Sequence, residues 1–170
     1  MSVAAGIGAE FLARLDAVEP RLRAAASIDP VPGGLTEPDQ PTGEQWDWGQ
    51  VWAHLGEFVP YWLRQIRTVL SAEPEADLPS FGRVQTDTAR LAAIDADRHR
   101  PPQELWRRLE GQLVDLRALL AAMSAADWKR SVSHSTLGVL DMQKVAEMFL
   151  VGHLEGHTDQ LDGLVDATDP

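Results

Sequence analysis

The segment GHLEGHTDQL carries His153 and His157, four residues apart. On a helix that spacing puts two side chains on one face, about 6 Å apart, so both rings can aim at one point in space. Imidazole pairs at i and i+4 recur as ligands of divalent cations. The rival account is a pair of helix histidines at a bundle edge, solvated or bonded to backbone. Position argues for the cation. Both residues fall on an apolar stripe between Phe149 and Leu161, where an unpartnered imidazole costs a few kcal/mol. Two neighbouring imidazoles there also resist joint protonation. A cation shared by neutral rings resolves both difficulties.

A third ligand candidate is His54, in VWAHLGEF, beside Val51, Leu55 and Phe58 on the apolar side of another helical stretch. Three imidazoles from two helices make a tripod with one coordination position open, which is the catalytic form of such sites; structural zinc sites are closed by four protein ligands. Imidazole suits zinc, nickel, copper and iron, so the ligand set alone does not choose among them. Glu57 lies one turn beyond His54. It is placed to orient an imidazole or accept a proton, although a solvated helix glutamate reads the same way. Trp48 and Trp52 are candidates for pocket walls, or for ordinary packing. His99 and His134 are expected on surface loops, the latter a candidate outer-site group.

Other chemistries fail on spacing. Glu155 sits two residues past His153, roughly 200° around a helix, so HLEGH is not the zinc-protease motif. No Glu-x-x-His pair exists for a di-iron bundle, and there is no Gly-x-Ser-x-Gly elbow or phosphate loop.

Four stretches of helical periodicity must position these residues. Ile7, Phe11, Leu15, Val18 and Leu22 form the first stripe, with Pro20 expected to kink it or restart the helix. The second runs from about Trp46 to Leu70 through Val51, Leu55, Phe58, Trp62, Ile66 and Val69, with a bend expected at Pro60. The third opens at RPPQELW, with proline in its first turn, and carries Leu105, Leu109, Leu113, Leu116, Leu120 and Met123. The fourth follows STLGVLD, with Asp141 as its expected N-cap, and bears Val145, Phe149, His153, His157, Leu161 and Leu164. SIDPVPGGLTEPDQPTGEQ reads as irregular chain, and residues 71–100 as a long connection with a short helix at TDTARLAAID. Of the connections only GRVQTDT alternates like a strand. The expectation is an all-α chain: one domain over residues 1–170, a four-helix bundle with a long crossover between its second and third helices.

Composition narrows the function. The 26 acidic residues against 15 basic ones give a formal charge of -11, which disfavours nucleic acid as a partner. Without cysteine, disulfides, thiolate nucleophiles and zinc ribbons are excluded. No signal peptide and no run of about 18 apolar residues is seen, so no membrane association is expected and the expected location is cytoplasmic. Arginine outnumbers lysine 13 to 2, and with abundant alanine this suggests a GC-rich bacterial genome.

Taken together, His54 in WDWGQVWAHLGEF, the long second crossover, and the tail HSTLGVLDMQKVAEMFLVGHLEGHTDQL resemble the DinB/YfiT-like family of bacterial four-helix proteins. The resemblance spans about Glu10 to Leu164, and its most specific parts are His54, the HSTLG turn, and H-x-x-x-H followed by Gln160 and Leu161. It implies an up-down-down-up bundle and a divalent metal, often zinc or nickel, held by residues matching His54, His153 and His157. It also implies frequent homodimers. Characterised relatives include transferases and isomerases that use mycothiol or bacillithiol. The expectation is therefore a metal-dependent transferase joining a low-molecular-weight thiol to a small electrophilic substrate. A metal-dependent hydrolase, or a metal- or ligand-binding module without turnover, are the alternatives. Pro60, inside the helix of His54, departs from the family pattern and leaves the substrate open.

Overall fold

The computed structural model describes residues 3–40, 42–73 and 78–167, with side chains from Gly6 onward. Part of the second crossover (74–77) and one residue of the first connection (41) lie outside the described residues. Most of the chain is helical, and a small three-stranded sheet is added to the helices. Among the described residues, no helix is long and apolar enough to cross a membrane.

The first stripe becomes α1, Val3–Ala25, which buries Phe11, Leu15, Val18 and Leu22. Helix α2 spans Trp48–Ser71. Its start is fixed by a capping box: the Asp47 carboxylate accepts from the Gln50 backbone N–H at 2.8 Å, and the Asp47 N–H donates to Gln50 Oε1 at 3.0 Å. Helix α3, Thr88–Asp97, lies in the long connection and packs against α2. Helix α4, Pro102–Ala122, has proline in its first turn and buries Leu105, Leu109, Leu113, Leu116 and Leu120. After the short α5, Ala125–Trp128, comes the sheet. Helix α1 packs on α4 and on the last helix, and α2 packs on the same two.

Both prolines sit inside helices that continue as single elements. At Pro60 the missing N–H leaves the Gly56 carbonyl without its helical donor. Gln112 of α4 fills the gap, its Nε2–H donating to Gly56 O at 2.9 Å. Replacing Gln112 with leucine should leave that carbonyl unpaired and lower stability by about 1–2 kcal/mol. Urea denaturation measures this; an unchanged midpoint would show that the bond contributes nothing.

The expectation of a mostly helical chain holds, and a small sheet that the sequence did not reveal is added to it. Strand β1 is Ser80–Phe81, β2 is Ser131–His134 and β3 is Gly138–Asp141. Strands β2 and β3 pair antiparallel from His134↔Gly138 to Ser131↔Asp141, and β1 adds parallel to β2. The alternating candidate GRVQTDT lies just after β1 and is itself not a strand. His134, expected on a surface loop, is buried at the end of β2 and stacks on Phe149. Its Nδ1 faces the backbone N–H groups of Thr136 and Leu137, both at 3.3 Å, so the ring closes the hairpin turn. Gly82, at φ 101°, lies against this ring: an added Cβ would fall 2.4 Å from His134 Cδ2.

The last rod begins where expected, at α6 (Met142–Ala146), with the Asp141 carboxylate accepting from Lys144 N–H at 2.7 Å. It does not run as a uniform α-helix. Residues Glu147–Val151 form a π-turn, closed by the Gly152 N–H bonding to Glu147 O, before α7 resumes over Gly152–Asp166. Such turns admit one extra residue and shift the phase of the stripe. Arg14 of α1 straddles the π-turn: its guanidinium binds Glu147 at 2.5 and 2.9 Å and Glu155 at 2.5 and 2.8 Å.

Candidate metal centre

Helix α2 and helix α7 bring His54, His153 and His157 together. The Nε2 atom of His153 lies 3.0 Å from that of His54 and 3.1 Å from that of His157. One ligand atom from each of the three rings lies within 4.8 Å of the other two. An imidazole Nε2 has one in-plane site, occupied by either a proton or a lone pair. His153 Nε2 therefore cannot satisfy both neighbours as hydrogen bonds. Three convergent lone pairs are instead what a cation takes, and nitrogen ligands about 2.0–2.1 Å from a zinc ion stand roughly 3.0–3.4 Å apart.

The far nitrogen of His157 supports this arrangement. His157 Nδ1–H donates to Gln160 Oε1 at 2.7 Å, which leaves its Nε2 as the lone-pair nitrogen. His54 Nδ1 makes no hydrogen bond but faces Glu57 Oε2 at 3.4 Å. Both oxygens of Glu57 are held by Arg83, at 2.5 and 2.6 Å. The carboxylate is thereby held beside the His54 ring without a hydrogen bond to it.

Burial keeps the rings neutral. It is the main cause lowering the pKa of all three. For His54 and His153, the neighbouring imidazoles, which resist joint protonation, and the charges of Arg90 and Arg83 add to the effect. His157 is pulled down to about 4, with the Gln160 hydrogen bond opposing the shift. Uncharged imidazoles at neutral pH are the ligand form.

Aromatic rings hold the cluster. Trp46 stacks on His157 with centroids 5.6 Å apart and planes at 4°, and meets His54 edge-on at 5.0 Å. Phe58 meets His153 edge-on at 4.7 Å. The tryptophan at the site is thus Trp46, not Trp48 or Trp52, which contact each other away from the pocket and are packed in the core. Its signal was weak because it lies just before α2, where periodicity has no meaning. Trp46 is held there by the first connection: its N–H donates to Thr36 Oγ1 at 3.0 Å and its carbonyl accepts from Thr36 N–H at 2.8 Å.

The cluster opens to one side. A small pocket of about 130 Å³ is lined by the three histidines together with Trp46, Arg90 and Gln160. Arg90, on α3, was not singled out by the sequence. Glu155, as expected, faces elsewhere and is paired with Arg14. His99 is exposed in the turn after α3.

No protein-family model matches the chain, and no curated protein matches it in sequence. The fold is similar to the crystal structure of an uncharacterized protein from Clostridium difficile 630, with a TM-score of 0.60 and 13% identity over 95% of this chain and 96% of that one.

Proposed function

We propose that this chain is a DinB/YfiT-like four-helix-bundle protein that holds one divalent cation, zinc or nickel, on His54, His153 and His157. In this reading it transfers a small electrophile to a low-molecular-weight thiol. The observation that carries the cation is the meeting of three imidazole Nε2 atoms that cannot satisfy one another as hydrogen bonds. The bundle reading rests on the ring of contacts in which α1 and α2 each pack against both α4 and α7.

A cation held by these three ligands alone would keep a coordination position open, the arrangement of catalytic rather than structural sites. A cation bound there supplies Lewis acidity that lowers the pKa of a thiol or water held in the open position. The chain's own residues do the rest. Gln160 holds the His157 ring by a hydrogen bond, Glu57 faces the His54 ring, and Trp46 and Phe58 pack against the imidazoles. With no cysteine in the chain, a sulfur nucleophile must arrive with the cosubstrate.

The test follows thioether formation between a panel of small thiols and a simple alkylating electrophile, using protein loaded with zinc or nickel. The expected result is a rate above background that needs both the thiol and the metal and vanishes in His157→Ala. Stoichiometric metal with no rate for any thiol would remove the transferase reading. Release of acid from activated esters would then decide between a hydrolase and a binding module.

A further inference from the structure

Arg90 is an anomaly in the pocket wall. It is 7% exposed, and among the described residues no carboxylate lies within ion-pair distance of its guanidinium. Its nearby acids are otherwise engaged or distant. Asp87 caps α3 by accepting from the Arg90 backbone N–H at 2.8 Å, and Glu57 is taken by Arg83. Glu44 is exposed at the pocket rim. One guanidinium nitrogen is used: Nη1–H donates to Gln85 O at 3.0 Å. The Nε–Nη2 edge has no partner among the described residues. The group lies over the Trp46 ring, 5.2 Å from its centroid, and that same indole stacks on His157.

A cation this buried without an ion pair is costly, and an anion reaching it from the pocket offsets that cost. Here burial and the neighbouring Arg83 both weigh against the charge, lowering the Arg90 pKa. The free edge of the guanidinium is a planar fork, whose shape matches a carboxylate in two parallel hydrogen bonds. Asp39 and Glu44 line the same pocket, and their charge weighs more heavily against a dianion such as phosphate than against a monoanion.

We propose that Arg90 anchors the carboxylate of a small monocarboxylate substrate, whose remaining atoms extend over Trp46 toward the three imidazoles. This deepens the reading of the pocket as a reaction site and rests on it. Arg90 is then a binding residue, and the electrophile or the thiol carries a carboxylate.

Calorimetric titration with benzoate, benzamide and inorganic phosphate tests the proposal. Metal content and melting temperature are recorded for each protein. In wild type, benzoate should bind at least tenfold tighter than benzamide, with phosphate no tighter than benzamide. Arg90→Met should lose at least tenfold in benzoate affinity. Arg90→Lys, which keeps the charge but not the fork, should fall between the two. Because a carboxylate can also ligate a metal, the titrations are repeated on chelator-treated protein, where the gap between wild type and Arg90→Met should persist. Equal benzoate affinity in wild type and Arg90→Met would overturn the proposal, as would equal affinity for benzoate and benzamide, or no benzoate binding by metal-free wild type. If Arg90→Met does not fold, benzoate binding by Arg90→Lys as tight as by wild type overturns it. Absence of stoichiometric metal in wild type would defeat the metal reading by itself, and the metal-free titrations show that outcome separately from failure of the anchor.

Discussion

His153→Ala should lose bound zinc or nickel by more than a hundredfold in affinity and abolish the stabilising effect of the metal. His153 is the ring whose Nε2 approaches both of the others, at 3.0 and 3.1 Å, so its removal leaves two nitrogens and no tripod. The wild-type chain should carry one ion, and at a free metal concentration of 100 times the dissociation constant the ion stabilises the fold by about 2.7 kcal/mol. For a chain of this length that moves the melting temperature by roughly 5–10 °C. Elemental analysis after dialysis and melting curves with and without chelator read both effects. A chelator-sensitive melt in wild type and an insensitive one in His153→Ala is the expected pair. Stoichiometric metal in the variant would mean that the rings do not converge on an ion.

Gly49→Ala is expected to produce the largest loss of stability of any single methyl addition in α2. Gly49 is in the first turn of the helix, where the carbonyl of Arg98, just past α3, comes so near that an added Cβ would lie 2.0 Å from Arg98 O. The obstacle is backbone, which cannot swing aside as a side chain does. Relief requires α3 to move from α2, which also strains the ion pair between Arg98 and the capping Asp47. A cost of roughly 3–5 kcal/mol follows, or on the order of 10 °C in melting temperature. Gly163→Ala is the control. It lies on the exposed side of α7, nothing stands within 4 Å of the added carbon, and a gain of up to about 1 kcal/mol is expected from helix propensity. Similar melts for the two variants would show that the close approach of α2 and α3 is not a constraint.

The long helices were legible because each buries one face, and burial imposes a period. Phe11, Leu15, Val18 and Leu22 reach the core where the stripe puts them, and Asp141 caps its helix as its type and place suggest. The three histidines were legible for the same reason, being polar interruptions of apolar stripes. The sheet was not. Its strands have two to four residues, too few for alternation to stand out, and the inward-facing residue at the end of β2 is a histidine. Trp46 and Arg90 escaped because their importance comes from contacts across the fold, Trp46 lying outside the helical stripes and Arg90 on a short amphipathic helix. Arg90 on sequence alone reads as a solvated base; only its burial without an ion pair among the described residues sets it apart. Gln112 likewise has meaning only beside Pro60.

The π-turn gives the last rod two independent angular settings. Upstream, α6 is aligned by Met142 and Val145 to the core; downstream, α7 is aligned by its histidines to α2. One surplus residue between them absorbs the mismatch, and the grip of Arg14 on Glu147 and Glu155 holds the two halves at that offset. A descendant that dropped a residue from 147–151 would keep its hydrophobic core upstream yet arrive with both imidazoles swung by about 100°. Loss of a single codon would thus separate the scaffold from the histidine cluster.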